Sequence, residues 1–492
     1  MGLKFGTSGL RGLVTEMTDK ECYVNTKGYI KFLESIKGVK DRVAIAGDLR
    51  ESTRRILKAV AKAIIDCGYE VIYCGRIPTP TLTYYAMKNN IPSVMVTGSH
   101  IPFDRNGVKY IKIEGEVLKE DEKPILDSVE KVRLEESYLF DEKDMFKEFD
   151  INLIENKDAK KNYIERYVNF FGNCLIGKKI VLYEHTAVGR NLIKELFMEM
   201  GAEVVCEERS SEFVHIDTEK VSGIVEAKLK NFSMKHNPDA IISTDGDSDR
   251  PLLADENGRF LPGDKLGVLC CKFLKPDFAA ITVSSNDAVC NSLESMGIKV
   301  VKTRIGSPYV IDAMNKAEGK TVSWEANGGF LTGCDFIIQD KKLEALPTRD
   351  AVLPLVIALV LGRKLSEVIE ETFRGYDSYS EASYIENNDE GCEQYTAEMG
   401  KRIVKSLTPQ GKEVDFRLKA RLESYFSKEI VKVNYVDGFR VYFSDGEVIH
   451  LRPSGNAPQF RIYSVGRSPE RAREIIEETK KIIPLIIKDF IK

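Results

Sequence analysis

The strongest constraint on the fold is a strand–helix–strand pattern that occurs three times, at intervals of about 110 residues. In its first copy, apolar runs at 43–48 and 70–73 predict strands, and the apolar spacing over 52–67 predicts a helix that ends at Gly68. The other two copies cover 178–183, 191–200 and 202–206, then 279–283, 288–296 and 297–301. Strands that alternate with helices in this way favour layered α/β domains.

The last part of the chain has a different pattern. Short β-rich runs at 431–433, 439–443 and 447–451 are separated by Asp-Gly turns, which predicts antiparallel strands. Ser468 followed by Pro469 predicts the start of a C-terminal helix, with the serine as its cap. We therefore expect an α/β fold in which three similar α/β domains with mixed sheets are followed by a smaller α+β C-terminal domain.

The length of 492 residues supports this count, because domains commonly contain about 100 to 200 residues each. The pattern places the domains at 1–152, 153–254, 255–373 and 374–492. Two helices are also predicted inside them. The charged stretch 119–158 is typical of a solvated helix, and the apolar stretch 351–362 of a buried helix with Thr348 as its cap.

Composition argues against several classes of function. Lys and Arg total 72 and Asp and Glu total 76, so the net charge of −4 provides no broad basic surface for nucleic acid or an acidic membrane. The longest apolar run is shorter than the roughly 20 residues that a membrane crossing needs. Ten scattered cysteines without a C-x-x-C pair are typical of reduced thiols, and the first residues lack the apolar core of a signal peptide. We expect a cytoplasmic protein.

The stretch 97–109 follows a predicted strand at 94–97, and we call its first part, residues 97–105, the serine loop. The missing Cβ of Gly98 allows a tight turn that places the Ser99 hydroxyl on an exposed tip, and Pro102 and Asn106-Gly107 predict two further turns. A serine in such a turn is suited to be a covalent nucleophile, a helix cap or a solvated turn residue. The loop by itself leaves these three interpretations open.

A second loop, the metal loop (residues 245–250), carries carboxylates at alternate positions: Asp245, Asp247 and Asp249. Three carboxylates this close together can share one hard cation, and Mg²⁺ prefers such oxygen ligands. With Glu256 at the twelfth position, the loop also imitates a Ca²⁺-binding helix–loop–helix, but Arg250 stands where that loop requires glycine. We favour Mg²⁺ over Ca²⁺ and over a solvated acidic turn.

Two further loops carry groups that suit a phosphorylated sugar. The sugar loop (residues 324–330) offers the Glu325 carboxylate and the Asn327 amide to neighbouring hydroxyls. The phosphate loop (residues 452–458) offers the Arg452 guanidinium, the Ser454 hydroxyl and backbone N–H groups to a dianion. Each loop taken alone is equally compatible with a structural turn or a plain hairpin loop.

A glycine-rich segment at 6–12 contains Arg11, which together with backbone N–H groups could meet a phosphate. Its spacing matches neither a dinucleotide-binding loop nor a Walker loop. A flexible turn without a ligand is the alternative.

Together, the serine, metal, sugar and phosphate loops resemble those of the α-D-phosphohexomutase family, which includes phosphomannomutase, phosphoglucomutase and phosphoglucosamine mutase. The resemblance covers the whole chain, with the loops in the family's order and one loop in each of the four expected domains. It implies that these domains are arranged around a central cleft, which the fourth domain closes to exclude water.

The resemblance implies that Ser99 is catalytic and carries a phosphoryl group. One Mg²⁺ per chain would be held by Ser99, through a phosphate oxygen, and by the three aspartates of the metal loop. Sugar hydroxyls would be selected by Glu325 and Asn327. The non-reacting phosphate would be bound by four residues of the phosphate loop: Arg452, Ser454, Gly455 and Asn456. The transferred group would be neutralised by three basic residues: Arg11, Lys109 and Arg250.

The implied reaction is reversible phosphoryl transfer between O6 and O1 of a hexose phosphate, first of all mannose 6-phosphate to mannose 1-phosphate, and also glucose phosphates. Phosphoserine and a hexose 1,6-bisphosphate, which also serves as activator, would be the intermediates. Phosphoglucosamine mutase is the alternative enzyme, although Glu-Ala-Asn-Gly-Gly departs from that branch's Glu-Gln-Ser-Gly-His. A catalytically silent sugar-phosphate sensor is the alternative of another class. The expected partners are small-molecule hexose phosphates, with no nucleic acid, membrane or obligate protein partner.

The general base is the one role without a clear residue. Many bacterial members have Ser and then His where Asn327 and Gly329 stand here, and another His about where Ser307 stands. Lys109 and His100 are the remaining candidates near Ser99, and either could act by charge or position alone.

Overall fold

The computed structural model describes residues 3–6, 8–134, 137–219, 221–362, 364–376, 378–408, 416–454 and 459–491. The chain forms two compact units, a larger one of Met1–Ala280, Gly297–Lys299 and Gly306–Glu371 and a smaller one of Ile281–Met296, Val300–Ile305 and Thr372–Lys492. The finer division into four domains stays a prediction.

The first part of the larger unit contains seven strands and four helices: β1 (Lys4–Phe5), β2 (Gly9–Leu13), α1 (Asp19–Ser35), β3 (Arg42–Gly47), α2 (Thr53–Asp66), β4 (Glu70–Tyr73), α3 (Thr79–Lys88), β5 (Ser93–Val96), β6 (Arg105–Lys112), β7 (Gly115–Glu116) and α4 (Lys119–Arg133). The sheet order is β1-β2-β6-β5-β3-β4, with β7 beside β6. β3 pairs in parallel with β4 and β5, and β5 pairs antiparallel to β6. The expected mixed sheet is therefore confirmed.

The apolar alternation along β3 explains why helices cover both faces of this sheet. Val43 and Ile45 join the core beneath α1 and α2, whereas Ala44 and Ala46 join a second core with α3. The predicted strands at 43–48 and 70–73 and the predicted helix at 52–67 are confirmed within one or two residues. Parallel strands with helices between them direct the loops that follow β3 and β5 to the same edge of the sheet.

Two local predictions in this part are wrong. Asn106-Gly107 is not a turn but lies within β6, where Gly107 pairs with Arg11. A Cβ at Gly107 would lie 2.8 Å from the carbonyl oxygen of Leu10, so the glycine permits close strand approach instead of a turn. The predicted helix over 119–158 ends at Arg133, and the described residues 141–157 form no helix.

The second part continues with α5 (Asp158–Phe171), β8 (Lys179–His185), α6 (Arg190–Glu199), β9 (Glu203–Arg209), α7 (Gly223–His236), β10 (Ala240–Thr244), β11 (Pro251–Ala254) and β12 (Phe260–Leu261). The sheet order is β12-β11-β10-β8-β9. β8 lies parallel to β9 and β10, and β11 returns antiparallel to β10. The metal loop is therefore the turn between β10 and β11.

The third part contains α8 (Gly263–Leu274), β13 (Phe278–Thr282), α9 (Asp287–Ser295), β14 (Lys299–Thr303), α10 (Ser307–Asn315), β15 (Thr321–Trp324), β16 (Phe330–Thr332), β17 (Phe336–Ile338), β18 (Lys341–Leu343), β19 (Leu346–Asp350), α11 (Val352–Val360) and α12 (Leu365–Phe373). The division between the two units passes through this part. The predicted strand–helix–strand at 279–301 is confirmed as β13, α9 and β14.

The sugar loop connects β15 to β16, and Trp324 opposite Phe330 closes it. Trp324 is fully buried against Gly267 of α8 and donates Nε1–H to the carbonyl oxygen of Asp264 at 3.1 Å. The predicted buried helix is α11. Thr348 is not its cap, because this residue lies within β19, which pairs with β16.

The smaller unit contains β20 (Tyr379–Ile385), α13 (Ala397–Ser406), α14 (Phe416–Phe426), β21 (Ile430–Asn434), β22 (Phe439–Phe443), β23 (Val448–Pro453), β24 (Phe460–Gly466) and α15 (Pro469–Ile491). Its sheet is antiparallel throughout, in the order β20-β24-β23-β22-β21. Ser468 caps α15 by accepting the Arg471 N–H at 3.1 Å, as predicted. The expected α+β character of the C-terminal part is confirmed.

All ten cysteines lie among the described residues and are free thiols, as the sequence predicts. None of the helices within the described ranges has the length and apolar character that a bilayer crossing demands.

Candidate functional site

The serine loop leaves β5 with residues 97–99 buried, whereas residues 102–105 are exposed. The predicted exposed position of the Ser99 hydroxyl is therefore wrong. Ser99 is 1% exposed and adopts a left-handed backbone with φ 51°. Its hydroxyl donates to Asp245 Oδ2 at 2.6 Å. A Cβ at Gly246 would lie 2.6 Å from the Ser99 carbonyl oxygen, so a glycine is required where the metal loop covers the serine loop.

The metal loop brings its three carboxylates together. One oxygen each from Asp245, Asp247 and Asp249 lies within 4.8 Å of the others, and all three residues are fully buried. The backbone N–H groups of Asp249 and Arg250 donate to Asp245 Oδ1 at 3.2 Å, which folds the turn around that carboxylate. Asp247 Oδ1 and Asp249 Oδ1 are buried without a hydrogen-bond donor. Orphaned carboxylate oxygens in a buried cluster fit a divalent cation.

The loop does not have the geometry of a Ca²⁺-binding helix–loop–helix. The strands β10 and β11 flank it instead of helices. Glu256, which would complete such a loop, accepts hydrogen bonds from the backbone N–H and the hydroxyl of Ser366. This geometry agrees with the sequence-based prediction that the metal loop is not a Ca²⁺-binding helix–loop–helix.

Lys109 reaches the carboxylates from β6. Its Nζ lies 2.6 Å from Asp247 Oδ2 and 2.8 Å from Asp249 Oδ2. Burial opposes the charged form, but the two carboxylates outweigh it and raise the pKa of Lys109. The ammonium therefore stays protonated at neutral pH, and the residue is a cation within the cluster.

Two arginines and a histidine lie on the other side of the cluster. Arg250 Nε lies 3.6 Å from Asp249 Oδ1, and Arg250 Nη1 donates to His100 Nδ1 at 2.8 Å. Burial, Arg250 and Arg11 hold the pKa of His100 well below its usual range, so the ring is neutral with its proton on Nε2. Burial and the charge of Arg250 lower the pKa of Arg11, on β2, to about 10, at which it remains charged at neutral pH.

Arg349 of β19 joins the sugar loop to the metal loop. Its Nε donates to Asp249 Oδ2 at 3.0 Å, and its Nη1 donates to Glu325 Oε1 at 3.3 Å. Asn327 Oδ1 accepts the Gly329 N–H at 3.1 Å, which shapes the turn of the sugar loop. The predicted carboxylate of the sugar loop is thus connected to the metal loop through one guanidinium.

A buried carboxylate, Glu116, lies behind Arg349. It accepts hydroxyl hydrogen bonds from Ser8, Ser307 and Thr348, each at 2.9 Å. The guanidinium of Arg349 lies 3.8 Å away. Ser307, at a position where family members often have histidine, is therefore a structural donor to this carboxylate in the described geometry.

In the smaller unit, Arg452 lies at the end of β23 and donates from Nη1 to Asp437 Oδ2 at 3.2 Å. Ser454 is buried, and its backbone N–H donates to the Gln459 carbonyl oxygen at 2.8 Å. The predicted residues Gly455 and Asn456 lie outside the described residues.

Three residues that organise the site were not identified from the sequence: Glu116, Arg349 and Arg50. Arg50 follows β3 and donates to four carbonyl oxygens of the serine loop. Each of the three is a single charged residue in an unremarkable local context, and each acts on residues that are distant in the chain. The local sequence gives no signal for Arg349, because its strand β19 also contains Thr348 and Asp350.

Comparison with known proteins supports the family resemblance. Family models of phosphoglucomutase/phosphomannomutase match three parts of the chain: alpha/beta/alpha domain I at 2–136, alpha/beta/alpha domain III at 262–376 and the C-terminal domain at 393–482. A phosphomannomutase from Salmonella muenchen is 39% identical over 483 residues, which cover 97% of this chain and 94% of the relative. The chain belongs to the α-D-phosphohexomutase family.

Further relatives agree with this membership. A phosphomannomutase from Sinorhizobium fredii is 34% identical over 488 residues, covering 97% of this chain and 98% of the relative. A solved structure of a phosphoglucomutase/phosphomannomutase family protein from Burkholderia thailandensis superimposes with a TM-score of 0.72 at 17% identity, covering 98% of this chain and 97% of that one. This last likeness concerns the fold alone. Membership of the phosphohexomutases makes the chain an isomerase of carbohydrate metabolism that acts on hexose phosphates.

The burial of Arg349 predicts a large stability effect. Arg349→Met should lower the free energy of unfolding of the larger unit by about 3 to 5 kcal/mol, because it leaves buried carboxylates unpaired. Urea unfolding followed by fluorescence of Trp324, the single tryptophan of the chain, measures this.

Arg259→Met is the matched control. Arg259 also pairs through Nε with an aspartate oxygen at 3.0 Å, but its side chain is 66% exposed, against 5% for Arg349. An exposed pair contributes less than about 1 kcal/mol. Equal losses in the two variants would contradict a buried network around Arg349.

Proposed function

We propose that this protein is a Mg²⁺-dependent phosphohexomutase that interconverts mannose 6-phosphate and mannose 1-phosphate, with glucose phosphates as further substrates. The observation that carries the mechanism is the position of the Ser99 hydroxyl. It is buried beside the three-aspartate cluster and donates a hydrogen bond to Asp245 Oδ2 at 2.6 Å. The names of the phosphomannomutase relatives at 39% and 34% identity support mannose as the preferred sugar.

In the proposed reaction, Ser99 alternates between phosphoserine and free serine. A sugar hydroxyl attacks the phosphorus of phosphoserine, the Ser99 O–P bond breaks, and a new P–O bond yields hexose 1,6-bisphosphate. Overall, the proton lost by the sugar hydroxyl is gained by the Ser99 oxygen, which becomes the free hydroxyl. The bisphosphate then reorients, and its other phosphoryl group returns to Ser99. Such transfers depend on positioning and on neutralising the charge of the moving group more than on covalent help.

Asp245, Asp247 and Asp249, with a phosphate oxygen on Ser99, would hold one Mg²⁺. The two orphaned carboxylate oxygens support this assignment. The ion, when bound, supplies positive charge opposite the transferring oxygens.

Lys109, Arg250 and Arg11 are proposed to act by charge. Lys109 supports this role by its position, because its Nζ lies 2.6 Å from Asp247 Oδ2 and 2.8 Å from Asp249 Oδ2, beside the proposed metal ligands. His100 is proposed to orient Arg250, because its Nδ1 accepts a hydrogen bond from that guanidinium.

Substrate recognition is proposed to come from two loops. Glu325, held by Arg349, would accept hydrogen bonds from the sugar hydroxyls, and Asn327 would shape the loop beside it. Arg452 and Ser454, together with Gly455 and Asn456, would bind the non-reacting phosphate, since a guanidinium, a hydroxyl and loop N–H groups suit a dianion. Hexose phosphates are the only partners that the proposal requires, and a cytoplasmic location stays a prediction.

Ser99→Ala tests the covalent step. We expect the purified wild-type protein to carry one phosphoryl group by intact-mass measurement, and Ser99→Ala to carry none and to lose mutase activity by about a thousandfold or more. Ser128→Ala removes an exposed hydroxyl on α4 and should change neither quantity. Turnover retained in Ser99→Ala would contradict the mechanism, and sugar-phosphate binding without turnover in the wild type would favour a sensor.

Chelation tests the metal. EDTA treatment should abolish mutase activity and added Mg²⁺ should restore it, because without the cation the negative aspartates repel the transferring group. Asp247→Asn should weaken Mg²⁺ binding by more than about tenfold in calorimetric titration. Asp141→Asn, which alters an exposed turn on the same unit, is the control. Full activity after removal of all divalent ions would disprove the assignment.

A substrate panel tests the sugar. We expect kcat/KM to be highest for mannose 1-phosphate, lower by about tenfold or less for glucose 1-phosphate, and lowest for glucosamine 1-phosphate. Mannose and glucose differ only at C2, so their discrimination should be modest. A preference for the glucosamine phosphate would identify the alternative enzyme.

A further inference from the structure

We propose that Arg50 is the positioning residue of the serine loop, and that its guanidinium holds Ser99 in the conformation from which phosphoryl transfer occurs. This inference rests on the proposed role of Ser99. Arg50 itself does not contact the Ser99 hydroxyl; it acts through the backbone of the loop.

All five N–H groups of the guanidinium are used. Nη1 donates to the carbonyl oxygens of Pro102 at 2.7 Å and Arg105 at 2.9 Å. Nη2 donates to those of Ser99 at 2.9 Å and Ile101 at 2.5 Å. Nε donates to the Asp48 carboxylate at 3.2 Å. Four carbonyl oxygens between residues 99 and 105 thus converge on a single side chain.

Asp48 fixes both the arginine and the start of the loop. Its Oδ1 accepts the Arg50 backbone N–H at 3.0 Å. Its Oδ2 accepts the Thr97 hydroxyl at 2.8 Å and the Gly98 N–H at 3.2 Å. The loop is therefore held at its beginning by Asp48 and along its length by Arg50, and both residues follow β3.

Packing confines the guanidinium on its two sides. A Cβ at Gly98 would lie 2.5 Å from Arg50 Cζ, so this glycine makes room for the guanidinium. The Phe213 ring covers it, with the ring centroid 4.1 Å from Cζ. Arg50 is 3% exposed, so solvent does not compete for its hydrogen bonds.

The loop needs such a constraint because Ser99 is strained. A non-glycine residue at φ 51° is in a sparsely populated region, and it stays there only where surrounding contacts impose it. Lysine could keep the positive charge at position 50, but its single ammonium cannot reproduce a planar fork of five donors. We therefore expect Arg50→Lys to free the loop and move the Ser99 hydroxyl away from Asp245.

Arg50→Lys in the full chain tests this inference against Arg55→Lys. Arg55 of α2 also donates to a carboxylate and a carbonyl oxygen, those of Asp19 and Met17, each at 2.8 Å, so the hydrogen bonds described for it go to residues outside the serine loop. We expect Arg50→Lys to lower kcat by about 100-fold with KM changed less than about threefold, because misplacing a reacting group by about 1 Å has an effect of this size. Arg55→Lys should leave both constants unchanged.

Hydrogen exchange gives a readout that does not depend on catalysis. Amides between residues 98 and 105 should exchange faster in Arg50→Lys than in Arg55→Lys, whereas amides of β10 should not differ. If the wild type proves to have no phosphoserine and no mutase activity, the proposed function fails, and the exchange result still decides whether Arg50 holds the loop. Unchanged exchange in the loop would overturn the inference.

The kinetic constants of Arg50→Lys also test the positioning role. An unchanged kcat in a folded Arg50→Lys protein would overturn a positioning role. A decrease in kcat/KM that arises entirely from a higher KM would overturn it as well.

If Arg50→Lys does not fold, Phe213→Leu is measured instead, since this variant removes the aromatic ring that covers the guanidinium and keeps all five hydrogen bonds. We expect Phe213→Leu to lower kcat by about three- to tenfold without a change in KM, and a wild-type kcat would overturn the inference.

Discussion

The structure of the larger unit depends on the neutralisation of three buried carboxylates. Asp245, Asp247 and Asp249 lie within 4.8 Å of one another without solvent, which is costly unless cations accompany them. Lys109 pairs with two of them and Arg349 with one. These cations come from β6 and β19, so the chain must bring three separate sheets together before the carboxylates can be buried. The carboxylates and their cations are therefore brought together only in the tertiary structure.

The same cations shift the pKa values of the three aspartates in different directions. Burial would raise the pKa of each, but Arg349 and Lys109 hold the pKa of Asp249 well below its usual range. Asp247 is also lowered, since Lys109 outweighs burial and the neighbouring carboxylate in setting its pKa. Asp245 has only a more distant cation, Arg250, whose Nε lies 4.0 Å from Asp245 Oδ2. Burial, Asp247 and Asp249 outweigh this cation and raise the pKa of Asp245, which accepts the Ser99 hydroxyl. The carboxylate nearest the serine is thus the one with the greatest need for further positive charge.

Arg349 extends this arrangement to the sugar loop. Because one guanidinium contacts Asp249 and Glu325, a change at the metal loop alters the position of the group proposed to select the sugar. Glu116 and its three hydroxyl donors hold the guanidinium from behind. Arg50 has the corresponding role on the serine loop, through backbone carbonyl groups instead of carboxylates.

The parts of the site that could be predicted are those encoded in short segments. A strand that runs into Gly98-Ser99 or into alternate aspartates can be identified locally, because strand, turn and donor residues lie within ten positions. The strand–helix–strand repeats were predictable for the same reason, since apolar periodicity is a local property. Arg50, Glu116 and Arg349 could not be identified in this way. Glu116 accepts hydrogen bonds from the hydroxyls of Ser8, Ser307 and Thr348. These residues are separated from it in the sequence by 108, 191 and 232 positions, respectively.

The amino-acid sequence by itself determined the fold class, the order of the four loops, the family resemblance and the identity of the serine and the three aspartates. Tertiary structure alone decided that Ser99 is buried and not exposed, that Asn106-Gly107 lies in a strand, and that Thr348 donates to Glu116 instead of capping a helix. It also decided which cations oppose which carboxylates. The reason is that burial and charge pairing depend on distances between segments far apart in the chain, whereas turns, strands and helices depend on neighbours.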